Sequence, residues 1–542
     1  MSRSGRITQR TRGTAISRRE VLRASIALGG LRLGGPLLAA CSSRSDPVSK
    51  PAAVQAGGAP GAGGTGAQAT KTLTWASSAD VSRLNPQMSP NFVDVAVYNA
   101  LFDGLTRHDT ELKLIPGLAT EWQLLNATTW QFKLRPGVKF HNGDPLTAAD
   151  VKFSIERTYD PEARTAFAAY FRLIDQIQVV DDLTVNFVMK APDPLLPARH
   201  ATWGGSIMPV NYFQQVGPEG FEKHPVGTGP YRFVEWVKGD HLRLDASPDY
   251  WGGRPNADAI VVRPRPEAAA RIAALLVGDV NFIDELPPDQ LDKVKNNAST
   301  QVISVLYSGF YTLYLNTNVP LLSNKLVRQA LSLAIDRDTL VKTIMNGQGV
   351  VANGSIVKGD FAYNANRAPL PYDPQKARQL LQAASYSGDE AVCTVLQYDI
   401  PFAEALTAMW QAVGFNSRIE VVETSVRSAM MREKTFKGVV IAYPTSTLGD
   451  PSAAMWRVLG PGGSGRYLDD PEFDRLGVQA ETTLDEKLRL DVYRRMDELT
   501  LDTFPWIPLF QPMKLYGAHK SVQWPPDPTT FLDFRRDMLS FT

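Results

Sequence analysis

The chain has 542 residues, of which 44% are hydrophobic and 21% charged, as in a soluble globular protein with more than one lobe. Its formal net charge is +1, but residues 1–40 hold eight Arg and one acidic residue, Glu20, so the remainder carries a net charge of −6. A mildly acidic body excludes the basic surface of a nucleic-acid-binding protein.

The first 40 residues have the features of an export signal. Ser17–Arg23 (S-R-R-E-V-L-R) matches the twin-arginine pattern, and Leu38–Cys41 (L-A-A-C) fits a bacterial lipobox. The apolar run between them is short, rich in Gly and interrupted by Arg32, so we do not expect a membrane-spanning helix. We predict a signal peptide over 1–40 and lipidation of Cys41. The alternative is an ordinary cleaved signal followed by an unrelated cysteine.

A tether is predicted to follow this signal. Residues 41–71 consist mainly of Ala, Gly, Ser and Pro, which cannot bury enough apolar surface to offset the entropy of ordering. A lipid on Cys41 would hold the folded body near a membrane without insertion. Cys393 is then the single thiol of the body, and we expect it to be a small core residue with no disulfide and no catalytic role.

Strands alternate with helices along the rest of the chain, which indicates α/β lobes. Alternating or continuous apolar runs predict strands at 72–76, 128–135, 177–180, 184–189, 231–236, 241–244, 279–283, 313–315, 417–422, 439–442, 506–510 and 514–516. Helical spacing predicts helices at 93–105, 268–277, 403–413 and 484–503, with further helices after Thr147, Ser323, Asp336 and Asp373.

Several predicted helices begin with a residue that is able to cap the free backbone N–H groups. Thr147 has Asp150 three positions on, the spacing of a capping box. Ser323 and Asp336 are candidate caps for two successive helices, and Asp373 precedes a Pro at the first helical position. Gly347 suits a left-handed exit after the helix that Asp336 starts.

The motifs of common enzyme classes are missing from the sequence. The six His residues are scattered, and no H-E-x-x-H or Cys/His spacing typical of a metal site occurs. Residues 462–465 (G-G-S-G) do not form a G-x-S-x-G nucleophile motif. The run 226–231 (V-G-T-G-P-Y) lacks the ending of a phosphate loop and is expected to fix a backbone path. We predict no catalysis, no metal and no cofactor.

Seven segments, spread along the whole body, together carry a family resemblance. They are 101–105, 116–157, 227–231, 316–347, 372–384, 414–423 and 504–516. In this order and after a lipobox, residues 72–542 resemble the extracytoplasmic solute-binding proteins of ABC importers, family 5, the peptide/nickel class that includes oligopeptide- and dipeptide-binding proteins.

The resemblance implies a two-lobed α/β periplasmic-binding-protein fold of the cluster C type, with an extra domain inserted in the first lobe. The first lobe would comprise 72–108, 225–312 and 512–542, the insert 109–224 and the second lobe 313–511. The polypeptide would cross between the lobes near 311–316 and 510–513. A hinge motion at these crossings would trap the ligand.

The resemblance also implies candidate ligand contacts. The loop after the first strand would contribute Ser89, Asn91 and Phe92, and the segment after 439–442 would contribute further residues. Those residues are Tyr443, Thr445, Ser446, Thr447 and Trp456. Tyr443, Trp456 and Trp203 are able to stack on a ligand, although lone aromatics serve equally well in core or hinge packing.

Position 447 differs from the peptide-binding relatives, in which an Asp pairs with the α-amine of the peptide. Aligning on Asp450-Pro451 places Thr447 there, so the charge is missing and a neutral, hydroxyl-rich edge takes its place. Such a charged hydrogen bond is worth about 1.5–3 kcal/mol. The edge favours a polar neutral ligand, unless another carboxylate such as Asp450 or Asp80 takes over.

The resulting hypothesis is a monomeric receptor, lipid-anchored outside the cytoplasmic membrane, that delivers a peptide or other medium-sized polar solute to an ABC permease. Within the class, an oligosaccharide or another non-peptide ligand is the alternative. A more distant alternative is an exported hydrolase on a similar scaffold.

Overall fold

The computed structural model describes residues 71–526, 528–529 and 531–542. The predicted signal peptide, Cys41 and nearly all of the tether lie outside these residues. The strands are β1 (Thr72–Ser77), β2 (Thr106–His108), β3 (Leu114–Pro116), β4 (Ala119–Asn126), β5 (Thr129–Leu134), β6 (Ile174–Asp181), β7 (Thr184–Met189), β8 (Tyr231–Val237), β9 (His241–Ala246), β10 (Ala259–Pro264), β11 (Phe282–Ile283), β12 (Thr300–Leu306), β13 (Tyr311–Leu315), β14 (Gly349–Val351), β15 (Ala391–Val395), β16 (Ser417–Val421), β17 (Gly438–Ala442), β18 (Trp506–His519), β19 (Val522–Gln523) and β20 (Ser540–Phe541).

The helices cover the faces of the sheets. They are α1 (Phe92–Leu101), α2 (Ala148–Tyr159), α3 (Leu196–His200), α4 (Val210–Lys223), α5 (Ala268–Leu276), α6 (Leu291–Lys295), α7 (Pro320–Ser323), α8 (Lys325–Leu333), α9 (Arg337–Thr343), α10 (Pro374–Ala383), α11 (Ile400–Ala412), α12 (Thr424–Glu433), α13 (Arg457–Leu459), α14 (Pro471–Thr482) and α15 (Glu486–Thr503). Among those in the described ranges, none combines the length and apolar character needed to cross a bilayer.

One long strand, β18, belongs to both lobes. Its first half pairs with β13, for example Leu313 with Ile507, and its second half pairs with β12, from Leu306 opposite Met513 onward. The sequence predicts two separate strands here, 506–510 and 514–516. They form a single strand, and the 14 residues join the two sheets without a loop.

Each lobe has its own parallel core. In the first lobe β1 pairs in parallel with β10 and β11, and β8 and β9 extend the sheet antiparallel. In the second lobe β15 lies between β16 and β17, parallel to both. The strands between 119 and 189 form a separate antiparallel sheet in the order β4-β5-β7-β6, which we call the insert sheet.

The helix caps follow the sequence pattern closely. The Asp150 carboxylate accepts from the backbone N–H of Thr147 at 2.9 Å, and Asp336 and Asp373 cap α9 and α10 as predicted. Ser323 is not the cap of α8, because it ends the short turn α7 and Asn324 accepts from the N–H of residue 326 instead.

The run 226–231 fixes a backbone path, as predicted. A Cβ at Gly227 would lie 2.0 Å from the Leu101 carbonyl oxygen, so only glycine allows this approach of the chain to the end of α1. Cys393 is fully buried on β15, and burial raises the pKa of its thiol to about 12, which agrees with its prediction as a core residue.

Candidate functional site

The carboxyl ends of the parallel strands in each lobe gather polar side chains. In open α/β sheets this end is where ligands bind, because loops leave it and side chains there are not used in packing. In the first lobe Ser78 follows β1, and Asp284 and Glu285 follow β11. In the second lobe Asp399 lies just beyond β15 and Tyr443 directly follows β17. We call these two groups the first wall and the second wall.

Asp284 is the most enclosed member of the first wall. It is fully buried and the Ser78 hydroxyl donates to it at 2.8 Å; among the described residues its second oxygen has no hydrogen-bond partner, although Arg271 Nε lies 3.8 Å from it. Burial raises the pKa of Asp284 to about 6, and the neighbouring Glu285 adds to the shift. Glu285 has φ of +47°, a strained conformation for a residue with a side chain, and such strain is common at binding sites.

Lys514, on β18, connects the first wall with the crossing between the lobes. Its ammonium pairs with Glu285 and lies 5.5 Å from the ring centroid of Phe92 and 5.7 Å from that of Tyr307. Burial is the largest single influence and lowers the pKa of Lys514, but the charge and hydrogen bond of Glu285, together with Tyr307 and Asp284, outweigh it, so the pKa is raised. The first wall therefore presents a fixed pair of opposite charges beside two aromatic rings.

The second wall is built around the buried carboxylate of Asp399. The Tyr443 hydroxyl donates to it, and the Arg427 guanidinium lies 5.7 Å from the ring centroid of Tyr443. Burial raises the pKa of Asp399. The Tyr443 ring also meets Tyr311 edge-on at 4.6 Å. The Tyr443 side chain is thus held in place by Asp399 and Tyr311.

The segment after Tyr443 contacts both the crossing and the insert. Thr445 Oγ1 lies 2.8 Å from the Tyr307 hydroxyl. Thr447 Oγ1 lies 3.2 Å from the hydroxyl of Tyr170, in the segment between α2 and β6. Ser446 is fully buried, and its hydroxyl donates to the backbone carbonyl of Asp450 at 3.1 Å. The two Thr hydroxyls thus contact tyrosines outside this segment, whereas the Ser446 hydroxyl bonds within it.

Neither carboxylate considered as a substitute at position 447 is free. Asp450 is buried and accepts from Arg489, from the Tyr493 hydroxyl at 2.8 Å and from the Ser452 backbone N–H at 2.9 Å. Asp80 accepts from the backbone N–H of residue 239, on the β8–β9 turn. The edge at Thr447 is therefore neutral.

The predicted residues of the first lobe meet an aromatic side chain from the C-terminus. Phe92 stacks on Phe531 with ring centroids 5.8 Å apart, and Trp203 meets Phe531 edge-on at 4.6 Å. Asn91 is exposed at the start of α1, and the buried Ser89 hydroxyl accepts from its backbone N–H at 3.2 Å. Phe531 thus packs both against Phe92 of the first lobe and against Trp203 of the insert.

Trp456 lies apart from the other predicted residues. It is largely buried in the second-lobe core, with its ring 6.0 Å from that of Phe473. It also forms part of the floor of a cavity of about 700 Å³ between the insert and the second lobe. Tyr170 borders the same cavity, which connects this region with Thr447.

Several residues of the site have no counterpart in the sequence prediction. They include Ser78, Tyr170, Asp284, Glu285, Tyr307, Asp399, Lys514 and Phe531. Asp284, Glu285 and Asp399 carried a usable signal, because a polar residue closely following a buried strand is expected at a sheet edge. Tyr170, Tyr307 and Phe531 come from loops and from the far C-terminus. Within the described part of the chain, no group of His, Cys, Asp and Glu residues is arranged to hold a metal ion.

Comparison with known proteins agrees with this architecture. The chain is 28% identical to the glutathione-binding protein GsiB of Pectobacterium atrosepticum, covering 81% of this chain and 88% of that protein. It is 27% identical to the dipeptide-binding protein of Escherichia coli strain K12, covering 80% and 88%. The fold matches the substrate-binding protein CtaP of Listeria monocytogenes with a TM-score of 0.80 and 21% identity, covering 88% and 100%.

The family model for bacterial extracellular solute-binding proteins of family 5 matches residues 113–466, well over half of the chain. The mixed α/β architecture agrees with the two-lobed fold expected from the sequence resemblance. Members of the family are binding proteins rather than enzymes. The chain belongs to the bacterial extracellular solute-binding proteins of family 5.

Proposed function

We propose that the protein captures a short peptide, or a peptide-like polar solute, between the two walls and delivers it to an ABC permease. The relatives named for glutathione and for dipeptides support this class of ligand. Both of those ligands carry charges of opposite sign and at least one amide group. The observation that carries the proposal is that Tyr307 links the two groups, because its ring centroid lies 5.7 Å from the Lys514 ammonium and its hydroxyl lies 2.8 Å from Thr445 Oγ1.

The two walls offer complementary interactions for such a solute. Lys514 carries a positive charge and Glu285 a negative one. Each is able to pair with the oppositely charged end of a zwitterionic ligand in place of the other. Thr445 and Thr447 each both donate and accept, which suits amide and hydroxyl groups. Because the edge at Thr447 is neutral, a ligand amine that faces it has no charged partner there.

Each predicted ligand residue has a proposed role. Asn91, Phe92, Tyr443, Thr445 and Thr447 are proposed to contact the ligand. Ser89 and Ser446 are proposed to act mainly by supporting these contacts, because their side chains are 4% and 0% exposed. Trp456 is proposed to contact the ligand only through the cavity that it borders.

The protein is proposed to work as a monomer tethered outside the cytoplasmic membrane through lipid on Cys41. The lobes are proposed to divide as the sequence analysis sets out, with 109–224 as the insert and 313–511 as the second lobe. Closure about the crossings near 311–316 and 510–513 would bury the ligand and present one shape to the permease.

A thermal-shift screen tests the ligand class. The purified body, residues 68–542, is scanned with glutathione, dipeptides, longer peptides and oligosaccharides, since a ligand present at a hundred times its Kd adds about 2.7 kcal/mol of stability. Stabilisation by peptides supports the proposal. Stabilisation by oligosaccharides alone would favour the alternative hypothesis, in which the ligand is not a peptide. If the protein turned over a bound solute, and a substitution of one cleft residue abolished that turnover, the alternative hypothesis of a hydrolase would be established.

A further inference from the structure

The C-terminal residues of the chain contact elements beside both walls. Residues 528–529 and 531–535, which we call the C-terminal strap, lie between the short strands β19 and β20. The Pro528 carbonyl accepts from the Ser308 backbone N–H at 2.7 Å, and the Ser308 carbonyl accepts from the Ser446 backbone N–H at 2.7 Å. The strap therefore begins beside the segment that leaves β17 in the second lobe.

Phe531 brings the strap to the first wall. Its ring stacks on that of Phe92, with centroids 5.8 Å apart, and meets Trp203 of the insert edge-on at 4.6 Å. The ring centroid of Phe92 in turn lies 5.5 Å from the Lys514 ammonium. The strap is thus linked to the charged pair of the first wall through one aromatic ring.

The rest of the strap is anchored in the first lobe. Leu532 and Phe534 are buried in its hydrophobic core, and Arg535 pairs with the buried Asp103 at 2.8 Å. Separating a buried ion pair strongly destabilises a protein, because each charge is then left without a partner. We therefore expect the strap to stay in place and to fix the position of Phe531.

Little space remains between the strap and the edge of the second lobe. The cavity there has a volume of about 60 Å³, and Thr529 and Phe531 of the strap border it together with Trp203 and Thr447. A benzene ring occupies a cavity of about 150 Å³, and pockets for small ligands measure about 300–1,000 Å³. The cavity has room for a few water molecules but not for a further amino-acid residue.

We propose that the strap limits the length of the ligand and that Phe531 is the residue that sets the limit. A solute between the walls reaches Phe92 and Thr447 but does not extend past them on this side, because Phe531 occupies the space. The cleft therefore selects short peptides over longer ones. This limit rests on the proposed function, because it presupposes a peptide-like solute between the walls.

A longer ligand has to displace Phe531 from its two aromatic neighbours. The contacts with Phe92 and Trp203 are then lost, and each such pair is favourable beyond the apolar area that it buries. We expect this loss to weaken the binding of a peptide that extends past Phe92 about tenfold or more.

Isothermal titration of the purified protein with alanine peptides of two and six residues tests the limit. The length ratio is the Kd of the hexapeptide divided by that of the dipeptide, and we expect a ratio of about ten or more for the wild type. We expect Phe531→Ala to lower this ratio about tenfold, and Phe531→Leu to lower it less. Phe541→Ala should leave the ratio unchanged. Phe541 is the matched control, because it is also a partly buried C-terminal phenylalanine on the same core, and it does not border the cavity.

The outcomes separate the length limit from the proposed function. If the dipeptide or the hexapeptide binds to the wild type with a ratio near one or below, the strap sets no limit, while the proposed function stands. The same holds if Phe531→Ala changes the ratio no more than Phe541→Ala does. If neither these peptides nor any peptide of the thermal-shift panel binds to the wild type, the peptide function fails and the limit fails with it. Thermal unfolding without ligand compares the stability of the variants, and Phe531→Leu, which keeps an apolar side chain, replaces Phe531→Ala if that variant does not fold.

Discussion

The Tyr307 hydroxyl lies 2.8 Å from Thr445 Oγ1, and this contact joins the crossing between the lobes to the edge of the second wall. Tyr307 follows β12, and the nearby Lys514 ammonium lies 5.7 Å from its ring centroid. The same tyrosine therefore touches the charged pair of the first wall and the hydroxyl edge of the second. A change in the angle between the lobes has to alter at least one of these contacts.

Removing this hydroxyl tests its contribution to the crossing. We expect Tyr307→Phe to lower the free energy of unfolding by about 1 kcal/mol, the net value of one hydrogen bond. Urea denaturation measures the change. Tyr372→Phe is the matched control, because Tyr372 is 52% exposed, and we expect an effect within about 0.5 kcal/mol. Equal effects of the two substitutions would show that the Tyr307–Thr445 contact contributes nothing.

Burial of Asp284 predicts an unusual pH dependence of stability. Burial raises its pKa from 3.8 to about 6, so between these values the folded protein binds a proton that the unfolded chain does not. The contribution of Asp284 to stability therefore rises as the pH falls from about 6 to 4. Relative to Asp284→Asn, which does not titrate, the wild type should gain up to ~3 kcal/mol over this window.

Urea denaturation of both proteins at pH 4, 5, 6 and 7 measures this difference, and other titrating groups cancel in the comparison. Asp292→Asn, at an exposed position on α6, should give a difference from wild type that varies little with pH. A wild type that loses stability relative to Asp284→Asn on acidification would contradict the enclosed environment of the first wall.

Restoring a carboxylate at position 447 tests the neutral edge. We expect Thr447→Asp to bind peptides with a free α-amine about tenfold more tightly, because a charged hydrogen bond is worth at least ~1.5 kcal/mol. The N-acetylated forms of the same peptides should show no gain. Titration calorimetry with one dipeptide and its acetylated form makes the comparison. Unchanged affinity for the free amine would show that Thr447 does not face the ligand amine.

Lipidation of Cys41 is tested by fractionation of cells. We expect the full chain to sediment with membranes and Cys41→Ser to be released into the soluble extracytoplasmic fraction, because the lipid is the only anchor proposed. Mass spectrometry of the N-terminal peptide checks the modification directly. Membrane retention of Cys41→Ser at the wild-type level would rule out this anchor.

Features set by neighbouring residues were predictable from the sequence. The caps at Asp150, Asp336 and Asp373 depend on a spacing of three residues or fewer, and they were correct. The prediction that Ser323 caps α8 was wrong. Ser and Asn cap helices equally well, and because Ser323 ends α7, the neighbouring Asn324 is the residue free to cap α8. Such choices depend on where the previous turn ends.

Features set by distant residues were not predictable from local pattern. The proline-interrupted segment that forms β18 is held extended by β12, β13 and β14, which lie between 155 and 219 residues away in the chain. Phe531 reaches Phe92 across more than 400 residues, and Tyr170 reaches Thr447 across 277. A pattern of apolar and polar residues contains no information about these pairings.

The resemblance supplied what the local pattern lacked. It implied that Tyr443, Thr445 and Thr447 contact the ligand, and in the structure these residues follow β17 and contact Tyr311, Tyr307 and Tyr170. The Lys514–Glu285 pair of the first wall was not identified, because the two residues are 229 positions apart in the chain.

The most direct test of the central claim is mass spectrometry of the solute released from protein purified from its native host. We predict one equivalent of a short peptide or peptide-like zwitterion, and adding it back to the emptied protein should raise the Tm. An uncharged oligosaccharide in that position would contradict the peptide-like ligand. A protein that carries no solute, and that no peptide of the panel stabilises, would contradict the account as a whole.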